Sequence, residues 1–321
     1  MTPTNTSIIH VIGGGSIGLL FAGRLSPFAR VHILSRNGDS IATQFSIESP
    51  DGSISTYSLD TEHNPQAGID WLLVCTKSYD AEKAVNLVSA RLSENSRIVL
   101  LGNGMGYQQR IATNHPSSKV FVASTTEGAN RPQIQGTQPA VTCVRHAGTG
   151  NTTIGALHSP PPHSIKQDLL ALSALLNKAS FDNAISENIV MALWRKLIVN
   201  CGINPFTAIL NCTNGNILRH PFFLTRIDGL CNELADAAQR AGLAISAEEC
   251  KKSVRLVAAA TQYNRSSMLQ DVTQGKLTEI DFINGFICQQ GALHGQDYPI
   301  NRELTTKVKE LSPMSPAVPQ G

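Results

Sequence analysis

A chain of 321 residues, 41% apolar and 16% charged, is long enough for two ordinary domains with sizeable cores. Its net charge of +2 is too balanced to suggest a nucleic-acid surface. The seven cysteines are scattered and form no C-x-x-C pair, and the nine histidines show no metal-ligand spacing. Reduced thiols, a cytoplasmic setting and no metal are therefore expected. No apolar run reaches bilayer length, and MTPTNTS lacks the basic and apolar regions of a signal peptide, so no membrane partner is expected.

In chain order, IIHVI reads as a short buried strand and SIGLLFAGRL as a helix with an apolar face. Between them Gly13, Gly15 and Gly18 have the G-x-G-x-x-G spacing of a dinucleotide fold. Gly13 allows the tight turn, Gly15 lets backbone approach a pyrophosphate, and Gly18 lets helix and strand pack closely. Gly14, Ser16 and Ile17 complete the loop, whose helix N-terminus offers N–H groups and a positive dipole end. RVHILSR is the next strand. A carboxylate at its tip would select NAD, but Ser35, Arg36 and Asn37 stand there. Arg36 suits a 2′-phosphate, which favours NADP; the alternatives are a solvated Arg36, or NAD through nearby Asp39.

IDWLLVCTK, SRIVLLGNG and KVFVASTTEG read as further buried strands, with the helix SYDAEKAVNLVSARL after the first. AVTCVRHAG and NTTIGAL follow around a glycine turn, then the SPPPHS loop, the helix IKQDLLALSALLNKA and a last strand FDNAIS. The fold class expected is α/β: a Rossmann-type parallel-sheet domain over 1–186, then an all-α domain over 187–311. The Pro- and Ser-rich residues 312–321 are expected to be disordered.

Lys196, Asn200 and Asn204 recur every four residues among apolar neighbours, a polar ridge on one helix face. The ridge either faces solvent or carries chemistry, with a partly desolvated Lys196 as proton donor. Pro205 should kink or end that helix. Ser267 and Gln270 resemble a capping box; a serine at a helix start also suits a substrate carboxylate. Glu279, beside Asp281, either complements a helix dipole or accepts a bond from a substrate hydroxyl. Lys77 and Asn103 end two strands, where open α/β sheets bind ligands; Lys77 as a helix-start lysine and Asn103 as a turn residue are the alternatives.

IGGGSIG, NGMG, LWRKLIVNCGINPFTAI, and SSMLQD with TEIDFINGF together resemble the ketopantoate reductase family, over nearly the whole chain. The resemblance implies NADPH-dependent reduction of a small 2-oxo acid, ketopantoate, to pantoate on the way to pantothenate and coenzyme A. It implies Lys196 as general acid and Glu279 as the partner of the substrate hydroxyl. It also implies Asn200, Asn204, Asn264 and Ser267 as substrate contacts, with Lys77 and Asn103 at the nicotinamide and substrate and Arg36 at the 2′-phosphate. Glu127 departs from the pattern, since many relatives carry a histidine or another residue there. A same-fold reductase of another 2-oxo acid and a non-catalytic NADP sensor are the rival readings, and a homodimer is left open.

Overall fold

The computed structural model describes residues 7–132, 142–157 and 163–311. The expected disorder of 312–321 lies outside them, as does most of the SPPPHS loop. The chain divides into a sheet unit (1–102 with 107–192) and a helical unit (103–106 with 193–321).

The sheet unit begins with β1 (Ile8–Ile12), α1 (Ser16–Leu25), β2 (Arg30–Leu34) and β3 (Ser40–Ile41). β4 (Thr43–Glu48), β5 (Ile54–Leu59), β6 (Trp71–Val74), α2 (Ser78–Leu87), β7 (Arg97–Leu100) and α3 (Tyr107–Asn114) follow. β8 (Lys119–Thr125), β9 (Gly128–Asn130), β10 (Thr142–Gly148), β11 (Asn151–Ala156), α4 (His163–Lys178) and β12 (Asp182–Ile185) complete it.

The main sheet runs β12-β11-β8-β7-β6-β1-β2-β3. Its centre, β8 to β2, is parallel, and β1, β2, β6 and β7 are buried almost end to end, as apolar runs covered on both faces must be. The sheet is mixed rather than wholly parallel, because β3 pairs antiparallel with β2 and β11 antiparallel with β8. A second sheet, β5-β4-β10-β9, was not expected. The strands flanking the glycine turn part company in it: β10 runs parallel to β4, while β11 joins β8 in the main sheet. α1 packs onto this second sheet so tightly that a Cβ at Gly23 would lie 2.7 Å from the Ile47 side chain. In the same core Phe21 stacks on Phe181 at 4.2 Å.

The helical unit contains most of α5 (Ile189–Leu210), then α6 (Asn214–Ile217), α7 (Pro221–Leu224) and α8 (Ile227–Arg240). α9 (Ala247–Ala260), α10 (Ser267–Thr273), α11 (Asn284–Leu293) and α12 (Pro299–Leu311) follow. α5 does not end at Pro205; it continues for five more residues. Gly202 brings α5 against α9, where a Cβ would lie 2.4 Å from Val254.

Candidate active site

In the sheet unit, the chain leaves β1 for β2 on one side and later returns to β6 on the other. The carboxyl ends of β1 and β6 therefore flank the point where strand order reverses, the place such sheets bind ligands. Gly13, at φ +105°, presses the loop after β1 against the loop after β6, and a Cβ there would lie 2.6 Å from the backbone of Cys75 and Thr76. Gly18 approaches the Gly13 carbonyl, where a Cβ would be 2.0 Å away, so helix and loop meet at a distance only glycine permits. Gly14 and Gly15 face open space instead. Gly15 is the N-cap of α1 and no side chain caps it, so the first-turn N–H groups of Ser16, Ile17 and Gly18 suit an incoming anion. This is the cradle a dinucleotide pyrophosphate needs.

Arg36 is exposed in the turn after β2, where Ser35 N donates to Asp39 O at 2.8 Å and Asn37 N to Ser35 Oγ at 3.1 Å. Lys77 is the N-cap residue of α2 and is half-buried. Two residues escaped the sequence reading. The Thr76 hydroxyl oxygen is buried beside Gly13 without a partner among the described residues. Arg131 donates from Nη2 to the Gly14 carbonyl. Neither has a motif; only the fold brings them to the loop.

Glu127 turns inward. Arg24 Nη2 donates to His146 Nδ1 at 3.0 Å, so the imidazole carries its proton on Nε2 and gives it to Glu127 Oε2 at 2.5 Å. Glu127 thus belongs to a strut linking α1, β10 and the loop after β8.

In the helical unit, the segment 103–106 belongs with the helices although it follows β7 in sequence. Met105 N donates to Phe282 O at 2.8 Å, and Gly104, at φ +74°, lies so close that a Cβ would be 2.3 Å from that oxygen. The seam brings Asn103 Nδ2 to Glu279 Oε2 at 3.1 Å. Glu279 is buried and caps no helix with its side chain; it precedes a 3-10 turn, Ile280–Phe282, which separates it from α11. The dipole role therefore does not account for it.

Lys196 and Asn200 on α5 are half-buried and Asn204 is buried, so the ridge is not an ordinary solvent-facing one. Burial pulls the Lys196 ammonium down to about 8; the Glu279 charge acts the other way and recovers only part. The capping serine is Ser266, not Ser267: Ser266 Oγ accepts from Leu269 N at 3.1 Å. Thr207 Oγ1 lies 2.7 Å from Ser266 Oγ and donates to the Asn204 carbonyl at 2.9 Å. That chain ties the start of α10 to α5 and leaves Ser267 and Asn264 exposed. The structure thus gathers Asn103 and Glu279 directly, and puts Glu279 within electrostatic range of Lys196.

The family model described as Ketopantoate reductase PanE/ApbA matches residues 9–159, and its C-terminal counterpart matches 188–312. The chain belongs to the ketopantoate reductase family. The two matched stretches contain every candidate named above. A curated relative, 2-dehydropantoate 2-reductase of Shigella flexneri, is 33% identical over 312 residues, 94% of each chain. Among solved structures, 2-dehydropantoate 2-reductase of Geobacter metallireducens superposes with a TM-score of 0.81 at 22% identity, covering 95% of this chain and 100% of its own. D-mandelate dehydrogenase, solved with NADH and anilino(oxo)acetate, shares the fold at a TM-score of 0.80 and 20% identity, with 95% and 98% covered. Among the described residues no helix is long and apolar enough to cross a membrane, and no cluster of metal-ligating side chains occurs.

Proposed function

We propose that the chain catalyses the NADPH-dependent reduction of 2-dehydropantoate to (R)-pantoate, the activity named for its curated relatives, on the route to pantothenate and coenzyme A. The observation that carries this reading is a lysine with its pKa near 8 on α5, within range of a buried glutamate that is itself held by Asn103.

The residues divide the work as follows. The loop Gly13–Gly18 and the N-terminus of α1 bind pyrophosphate, and Arg36 grips the 2′-phosphate with its charged fork. A nicotinamide cofactor held there would supply hydride to the carbonyl carbon. Lys196 Nζ gives its proton to the carbonyl oxygen as negative charge grows there; a pKa near 8 keeps it mostly protonated at neutral pH yet acidic enough to donate. Asn200, Asn204, Asn264 and Ser267 hold the substrate carboxylate and hydroxyl, and Lys77 and Asn103 orient the ketone. Glu279 accepts from the terminal hydroxyl. Orientation of this kind supplies several kcal/mol of rate enhancement.

The sheet unit and the helical unit are the domains to which these tasks fall. The seven cysteines are all free, which suits a cytoplasmic enzyme. A homodimer is the assembly to test by sedimentation.

The decisive assay follows NADPH loss with 2-dehydropantoate, repeated with NADH. Turnover with NADPH at least about tenfold above that with NADH is expected, since a charge-assisted phosphate contact contributes on that scale. Absence of turnover with either cofactor overturns the reading. The shared fold of D-mandelate dehydrogenase motivates a second reading, a reductase of another 2-oxo acid. A panel of branched and aromatic 2-oxo acids separates the two.

A further inference from the structure

α5 contains a proline five residues before its end and is not interrupted by it. Pro205 has no N–H, so the helical bond to the carbonyl four residues earlier, that of Cys201, cannot form. Cys201 is fully buried and directly follows Asn200. An orphaned buried carbonyl at that point costs stability and loosens the helix next to the ridge.

Asn284, the first residue of α11, reaches the orphan. Its Nδ2 donates to the Cys201 carbonyl at a long 3.4 Å and to Asn301 Oδ1 at 3.0 Å. Both amide hydrogens are then used, which fixes the orientation of the side chain. Asn301 is held in turn by Glu233 of α8. Glu233 Oε2 accepts from Asn301 Nδ2 at 2.7 Å and from Asn301 N at 2.9 Å, while its Oε1 accepts from Ile300 N at 2.8 Å. Asn284 and Asn301 are both completely buried. The Asn284 Oδ1 acceptor has no partner among the described residues. A group that costs this much to bury is retained for what its two donors do.

The same helix grips α5 a second time. Phe286 meets Trp194 edge to face, with ring centroids 6.0 Å apart. Trp194 lies two residues before Lys196, and Cys201 lies five after it. α11 therefore brackets the lysine turn on both sides, and it is also the helix that follows Glu279 and its 3-10 turn.

We infer that Asn284 is a positioning residue for Lys196: its amide replaces the backbone bond that Pro205 removes, and so locks the lysine-bearing turns of α5 to the segment that carries Glu279. The inference rests on the proposed role of Lys196 for its effect on turnover, but not for the tether itself.

Three proteins test it: Asn284→Ala, Pro205→Ala and the double variant. Two quantities are read. One is the pH dependence of Lys196 acylation by acetic anhydride, resolved by peptide mass spectrometry. The other is kcat and KM with NADPH and 2-dehydropantoate. The native midpoint is expected at about 8. In Asn284→Ala, a loosened turn admits water and the midpoint moves up by roughly half a unit or more, as relief of desolvation requires. kcat falls about tenfold or more while KM changes less, the pattern of a misplaced catalytic group. Pro205→Ala restores an N–H to the Cys201 carbonyl, so Asn284→Ala should cost at least about threefold less in that background, as coupled neighbours behave. If Asn284→Ala does not fold, recovery of folding in the Pro205→Ala background supports the tether. The inference is overturned by a folded Asn284→Ala with native midpoint and kcat, by equal losses in both backgrounds, or by failure to fold in both. If the native protein reduces no 2-oxo acid, the functional reading fails while the acylation midpoints still decide the tether.

Discussion

Each unit buries a carboxylate near a base, and the outcomes are opposite. In the sheet unit, Arg91 Nη2 donates to both oxygens of Glu62 at 2.7 Å, and His10 Nε2 lies 3.0 Å from Oε1. Burial pushes the Glu62 carboxyl up, but hydrogen bonds from His10 and Arg91 outweigh it and hold the carboxyl below its usual range. In the helical unit burial also leads at Lys196, and there the opposing charge of Glu279 does not win. The first cluster has its charges settled. The second keeps a proton on a group ready to release it, which is the condition general acid catalysis needs.

The variant that tests this contrast hardest is Lys196→Ala. Turnover should fall at least ~100-fold, the scale for losing a general acid. Lys196→Arg should recover little, because a guanidinium does not release its proton. Near-native turnover in either variant would break the contrast outright.

Glu279→Gln comes next. It keeps an acceptor for Asn103 but removes the charge that raises the lysine pKa. Loss of one charged hydrogen bond to substrate predicts a fall in kcat/KM of about tenfold to a hundredfold. The native rate should decline above about pH 8 as Lys196 loses its proton, and in Glu279→Gln that decline should begin at lower pH. A pH–rate profile whose alkaline limb does not move would separate Glu279 from Lys196.

Arg36→Ala moves the test to the sheet unit, where the proposed cofactor contacts are the glycine-loop backbone, half-buried Lys77 and exposed Arg36. NADPH should bind about tenfold more weakly, and NADH nearly as before. Parallel titrations with the two cofactors read this directly. Equal loss for both would mean that Arg36 does not recognise the 2′-phosphate.

What the sequence made legible is what short-range pattern determines. The glycine loop, the apolar central strands and the four-residue spacing of Lys196, Asn200 and Asn204 all follow from local periodicity. The hairpin of β4 and β5 stayed hidden because more than half the residues of TQFSIE and ISTYSL are polar and β5 is mostly exposed. The pairing of β10 with β4 spans about a hundred residues and leaves no local mark. Adjacent serines made the α10 cap ambiguous by one position; the bond from Leu269 N to Ser266 Oγ picks Ser266, and Thr207 holds it in place. Pro205 looked like a helix end because the group that replaces its missing donor lies about eighty residues away.

The change expected to alter activity least is Glu62→Gln, and it tests whether the sheet-unit cluster is structural alone. The Glu62 and Arg91 side chains are 8% and 10% exposed, so leaving Arg91 without its charged partner should cost about 3 kcal/mol. Acid dependence follows from the two shifts. The Glu62 pKa is depressed in the fold, so its contribution is present above about 4.5 and is lost as pH falls through the folded value. The His10 pKa is depressed by burial, so the unfolded chain takes up a proton below 6.5 before the folded one does, and stability falls there too. Native protein should therefore lose sheet-unit stability in two stages on acidification, and in Glu62→Gln the lower stage should shrink to what the exposed Asp51 contributes. The protein has two tryptophans, and only Trp71 belongs to the sheet unit, so denaturation in a Trp194→Phe background reports that unit by fluorescence. Native turnover with a lowered unfolding midpoint is the expected result; a loss of turnover at full folding would mean the settled cluster also serves the chemistry.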